Sequence, residues 1–150
     1  MDSFSALDQM VRVAVYQSFV ETGNPPDVDR LSSLLGCIRS EIRASLFRLA
    51  AEHVLVLEGD QPQIRMAMPF SAVPTSFRVT TAKGQWFANC AWDSLGISAA
   101  LGADARIDTT CADCGEAVGL EIIGGNLAEE LGVIHFAIPA AHWWDDIRFT

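Results

Sequence analysis

The apolar residues of this chain change period near Glu52, and that change constrains the fold more than any other feature of the sequence. Before that point they recur at three- and four-residue steps, the spacing of helices with one buried face; after it they come in short runs broken by turn residues, as strands do. Over residues 4–19, Leu7, Met10, Val11, Val13, Ala14, Val15 and Phe19 predict a largely buried first helix, ended by Gly23-Asn24-Pro25-Pro26. Asp27 suits the N-cap of a short helix carrying Val28, Leu31, Leu34 and Leu35, and Gly36 the left-handed residue that closes it. Over residues 40–52, Ile42, Leu46, Leu49 and Ala50 share one face, with Glu41, Arg43 and Arg48 on the other. Residues 54–57 and 64–68, flanking the turn-forming 58–63, read as a hairpin. Three helices and a hairpin predict a winged helix-turn-helix over residues 1–70.

Pro69 and Pro74 lie five positions apart and disfavour both helix continuation and central strand pairing, so a boundary is expected there, with a second domain over 75–150. That part predicts a hairpin of 77–80 and 86–88 around Lys83-Gly84, a helix over 93–101 ended by Gly102, and strands over 105–110, 118–123 and 133–138. A helical turn follows over 140–145, and residues 147–150 look like the opening of a strand. The fold class is therefore α+β, a winged helix followed by a small mixed β-sheet domain with short helices.

With half its 150 residues apolar and 19% charged, the chain has the composition of a globular protein. Nineteen acidic residues against ten basic give a net charge of −9, which opposes binding to phosphate backbones. Met1-Asp2-Ser3-Phe4 lacks the basic flank and apolar core of a signal peptide, and no apolar run approaches the roughly 20 residues that span a bilayer. A cytoplasmic address without membrane attachment is expected, and there Cys37, Cys90, Cys111 and Cys114 read as metal-binding, catalytic or buried thiols rather than a disulfide framework.

Chemistry concentrates in Trp86-Phe87-Ala88-Asn89-Cys90-Ala91-Trp92-Asp93, which sets a thiol three residues before a carboxylate where a strand pattern gives way to a helical one. Unpaired N–H groups and the positive dipole end at a helix start favour thiolate, making Cys90 a candidate nucleophile or soft-metal ligand and Asp93 the adjacent acid or base. The bland alternative is a small buried hydrophobe beside an ordinary first-turn carboxylate.

This segment resembles the alkylmercury lyase family, whose members carry an aromatic-Ala-x-Cys-Ala-x-Asp-(Ser/Thr)-Leu run here matched by Phe87 to Leu95. Ala100-Leu101-Gly102-x-x-Ala105-Arg106-Ile107, Cys111-x-x-x-Gly115 and the closing Trp143-Trp144-Asp145-Asp146-Ile147-Arg148-Phe149-Thr150 extend the resemblance, as does the leading helical pattern. It implies cleavage of carbon–mercury bonds by two thiols and a carboxylic acid. A second thiolate on a soft Hg(II) ion weakens its bond to carbon, and the acid protonates that carbon. No cofactor is required, Hg(II) is a substrate-derived ligand, and the partners are a small organomercurial and cellular thiols. Cys90 matches the mercury-binding thiol and Asp93 the acid. The family's second catalytic cysteine follows a Phe in the last segment, and this sequence stops at Phe149-Thr150. Two readings follow, a truncated lyase or a shortened relative that keeps the fold and has lost or altered the reaction. Cys111 or Cys114 as the second thiol is a third, although Cys111 matches a family cysteine read as structural.

Cys111-Ala112-Asp113-Cys114-Gly115 is also half of a zinc knuckle. Cys37, Cys90, His53, His135 and His142 offer no second Cys-x-x-Cys, which counts against structural zinc and favours a solvent-facing turn whose two thiols take up mercury or oxidise. His135 reads as a hydrogen-bonded strand residue and His142 as a surface one. Trp143-Trp144 reads as a buried pair ending an amphipathic helix with Asp145-Asp146 solvated; the alternative makes the tryptophans a pocket wall and the aspartates a cation site. Arg39, Arg43 and Arg48 on the third helix are all that supports a metal-responsive DNA-binding regulator, and the acidity of the chain opposes it. In the lyase family the similar leading domain packs against the catalytic part. A lyase-like protein that binds a soft metal or small ligand without turnover is the remaining alternative.

Overall fold

A computed structural model describes residues 4–129 and 132–148. The expectations about Met1 to Ser3 and about Phe149-Thr150 lie outside the described residues. Three helices lead, α1 (Ala6–Thr22), α2 (Val28–Leu35) and α3 (Arg39–Ala51), followed by the short strands β1 (Val56–Leu57), β2 (Ile64–Ala67) and β3 (Phe70–Ser71). Next come β4 (Arg78–Thr81), β5 (Gly84–Ala88), α4 (Ala91–Leu101), β6 (Ala105–Thr110), β7 (Ala117–Ile123), β8 (Asn126–Leu127) and a 3-10 turn, Ala140–Asp145.

The helix ends are written in the sequence. Ser5 caps α1 by accepting from the Asp8 N–H, while the Asp8 carboxylate accepts from the Ser5 N–H, a reciprocal box that satisfies two orphan donors. Asp27 accepts from the Arg30 N–H at 2.7 Å to start α2, and left-handed Gly36 closes it as expected. Asp8, 2% exposed, also ties α1 to α3 through Ser45 Oγ at 2.6 Å and Arg48 Nη2 at 2.7 Å. The Arg48 guanidinium, with Ser45 and Ser5, outweighs burial and holds this carboxyl far below the usual range. Half of the Arg48 side chain faces solvent, so the pair is partly screened, and Asp8→Ala is expected to cost about 2 kcal/mol, read as a lower urea midpoint. Because the folded pKa is depressed, this contribution is fully present above the unfolded value of about 3.9 and is lost as pH falls toward the folded one.

The strands form one eight-stranded sheet, ordered β1-β2-β3-β5-β4-β6-β7-β8. Every pairing among the described residues is antiparallel, where a mixed sheet was expected. The expected boundary falls on β3, which hydrogen-bonds to β2 on one side and β5 on the other, so the sheet runs across it. The prolines do not prevent this pairing because Pro69 precedes the paired residues and Pro74 follows them. Residues 133–138 form no strand: the chain here is irregular and Val133 is 94% exposed. An apolar run becomes a strand only where it pairs, and residues 133–138 pair with neither edge strand of the sheet, β1 or β8.

A single apolar cluster joins helices and sheet. Phe19 of α1 stacks on Phe70 of β3 with ring centroids 5.4 Å apart, and the buried Trp86 indole of β5 donates to the Phe19 carbonyl at 2.7 Å. Aromatic side chains of this size contribute roughly 1.5–3 kcal/mol each on full burial. Here they also pin the strand that delivers the Cys90 segment. No helix among the described residues is long and apolar enough to cross a membrane.

Candidate active site

Ala88 is the last paired residue of β5, held by Phe70 of β3 and by its N–H on the Phe77 carbonyl at 2.9 Å. The chain then leaves the sheet and turns into α4. Cys90 takes the N-cap position with extended backbone, and its carbonyl accepts from the Ser94 N–H at 3.0 Å. Asp93, in the first helical turn, therefore lies on the same side as Cys90. Asn89 braces the pair: its Nδ2 donates to Asp93 Oδ2 at 2.9 Å and to the Phe70 carbonyl at 3.3 Å.

Cys90 and Asp93 both line a cleft of about 50 Å³. Its other walls are Met66, Met68 and Trp92, with Phe136, Trp143 and Ile147 contributed by the last described segment. Phe136 and Trp143 pack with ring centroids 4.9 Å apart, and the Trp143 indole donates to the Ile138 carbonyl at 2.9 Å. Trp143 is thus a pocket wall, the reading given second place on the sequence, whereas Trp144 stacks on His53 at 3.9 Å.

Burial governs the electrostatics. It holds the Cys90 thiol above its ordinary range, and the N–H groups of Asp93 and Trp92 draw it back only in part. The expectation that the helix start would favour thiolate is corrected: desolvation in an apolar cleft outweighs the N–H groups of the helix start. Burial also raises Asp93, against hydrogen bonds from Asn89 and the Cys90 thiol that favour the carboxylate. A thiol and a carboxyl thus line one partly dry space side by side, where the proton of the thiol can pass to the carboxylate.

The other candidates lie elsewhere. Cys111 and Cys114 occupy the turn between β6 and β7 and do not line the cleft; Cys37, half-buried after α2, faces the Leu35 carbonyl at 3.5 Å. His135 is exposed on irregular chain, not in a strand, and His142 is a surface residue paired with Asp145 at 3.0 Å. Of the α3 arginines, Arg48 is engaged by Asp8 and Arg39 by Asp29. Among the described residues no three His, Cys, Asp or Glu side chains converge to hold a metal ion. Sequence reasoning missed Asn89, Met66, Met68 and Phe136. Met66 and Met68, two residues apart in the run 64–68 that reads as a strand, were the available signal, since residues two apart on a strand share a face.

The site is a small apolar cleft at a strand–helix junction, lined by a thiol and a carboxyl, on a fold of helices and one antiparallel sheet. Residues 70–150 match the family model for alkylmercury lyase, MerB, and the chain belongs to that family. A solved structure described as the mercury-bound form of MerB2 is 26% identical, with a TM-score of 0.66 over 85% of this chain. The chain spans 61% of the length of that protein. No curated protein sequence matches it significantly.

Proposed function

We propose that this chain cleaves carbon–mercury bonds by protonolysis, with Cys90 as the mercury ligand and Asp93 as the proton carrier. The observation that carries this reading is the convergence of thiol and carboxyl on one apolar cleft. An organomercurial meets the protein as its adduct with a small cellular thiol, R–Hg–SR′. The Cys90 sulfur bonds to mercury and its proton passes to the Asp93 carboxylate. With two sulfurs on mercury the carbon becomes basic, Asp93 delivers the proton to it, and R–H leaves. The balance is Cys90–SH + R–Hg–SR′ → R–H + Cys90–S–Hg–SR′, so the second sulfur travels with the substrate and excess thiol then carries Hg(II) away. Phe136 and Trp143 pack against the organic group. The leading helices act in this reading as a winged-helix-like unit, residues 1–70, that packs against the catalytic part 75–150 of a cytoplasmic protein.

One observation favours a second reading. Cys90 is the one cysteine lining the cleft among the described residues, which suits capture of R–Hg without cleavage. Incubation of the chain with a methyl- or phenylmercury thiolate in excess monothiol separates the two. The expected result is hydrocarbon in the headspace and Hg(II) in solution, over several turnovers. A stable adduct that retains the organic group in the mass spectrum, with no hydrocarbon, would establish capture instead.

A further inference from the structure

The turn between β6 and β7 holds chemistry that the cleft does not use. The Cys111 N–H donates to the Glu116 carbonyl at 2.8 Å, and the Gly115 N–H returns to the Cys111 carbonyl at 2.9 Å. The second bond closes one helix-like turn, which needs a left-handed residue at its end, and Gly115 supplies it at φ 75°. Side chains three residues apart on such a turn share a side, so the turn sets the Cys111 and Cys114 thiols on one side. Cys114 is exposed and Cys111 is reachable from solvent.

The register places this pair at the same end of the sheet as Cys90. Phe87 of β5 and Asp108 of β6 both face Arg78 of the intervening β4, and Cys90 and Cys111 each follow three residues later along strands running in the same direction. At the Arg78 level those two strands are separated by two strand spacings, about 10 Å.

We propose that Cys111 and Cys114 form a second soft-metal site, a two-thiolate acceptor for inorganic Hg(II) distinct from the Cys90 cleft. Among the described residues no third His, Cys, Asp or Glu joins them, which leaves the tetrahedral demand of zinc unmet and suits a soft ion content with two sulfurs. Loading is an exchange without redox change: Hg(SR)₂ and two protein thiols give Cys111–S–Hg–S–Cys114 and two molecules of RSH. The site requires no cleavage activity, and so stands or falls independently of the function proposed above.

The test uses the full chain carrying Cys90→Ser, loaded with inorganic Hg(II) as its bis-complex with a small monothiol and dialysed against excess of that thiol. The variant is expected to retain one mercury, with the ultraviolet absorption of a mercury–thiolate bond. Adding Cys114→Ser, an exposed change, is expected to weaken retention at least ~100-fold, because the second sulfur then no longer binds intramolecularly. Adding Cys111→Ser is expected to do the same, and adding Cys37→Ser to leave retention unchanged. Loss of all mercury from the Cys90→Ser chain, or undiminished retention after Cys114→Ser, would overturn the proposal.

Discussion

Cys90→Ser is expected to bring hydrocarbon release from an alkylmercury thiolate down by at least ~10³-fold, to the level of buffer containing the same monothiol. The exchange of sulfur for oxygen is nearly isosteric at a half-buried helix cap, so the fold has no cavity to absorb and the N-cap backbone is unchanged. What is lost is the affinity of a soft ion for thiolate, which a hydroxyl does not replace. Cys37→Ser is the matching control: that thiol faces the Leu35 carbonyl, outside the cleft, and its loss should leave release intact. Capture and cleavage should fail together in the Cys90 variant, seen as absence both of hydrocarbon and of the organomercury adduct in the cleft. Hydrocarbon release within tenfold of the parent chain would remove Cys90 from the mechanism and leave the Cys111–Cys114 turn as the place to look.

The Cys90–Asp93 pairing was legible in the sequence because it is local. Three residues separate the groups, the junction is announced by a change of pattern, and one helical turn does the rest. The same holds for the Asp27 cap, the Gly36 and Gly102 helix ends and the hairpin of β4 and β5, each decided within a few residues. The walls of the cleft were not legible. Phe136 and Trp143 belong to a segment whose apolar run 133–138 has the composition of a strand, yet it pairs with neither edge of the sheet and instead covers a site some 50 residues away in sequence. The thiolate expectation failed for the same reason: a helix dipole is a property of the segment, whereas desolvation of Cys90 depends on Met66, Met68 and the aromatic pair arriving from elsewhere. Propensity placed the catalytic candidates, and tertiary burial set their protonation.

Asp93→Asn is expected to separate the two halves of the proposed reaction, leaving mercury capture by Cys90 in place while hydrocarbon release falls about 10²- to 10⁴-fold. Asparagine keeps the shape and can still accept the Asn89 Nδ2 bond through its carbonyl, but it cannot take a proton from the thiol and return it to carbon. The stability of this variant carries a sign that a merely structural role would not give. Burial raises the folded pKa of Asp93 above the unfolded value near 3.9, so its contribution to stability is greatest below that value and is lost as pH rises through the folded one. Above the folded value the parent chain therefore bears the cost of a buried carboxylate that the amide does not, and there Asp93→Asn should match or exceed it in urea midpoint while being nearly inactive. The pH profile expected of the parent chain follows from the proposed route of the proton. Because the proton reaching carbon is the one given up by Cys90, release should persist at pH values where an isolated aspartate would have none to give, and decline only as pH rises through the burial-raised value of the thiol. An Asp93→Asn chain that releases hydrocarbon at the parent rate, or one that no longer captures the organomercurial at all, would show that the carboxyl positions the thiol or is dispensable, and would end its assignment as proton carrier.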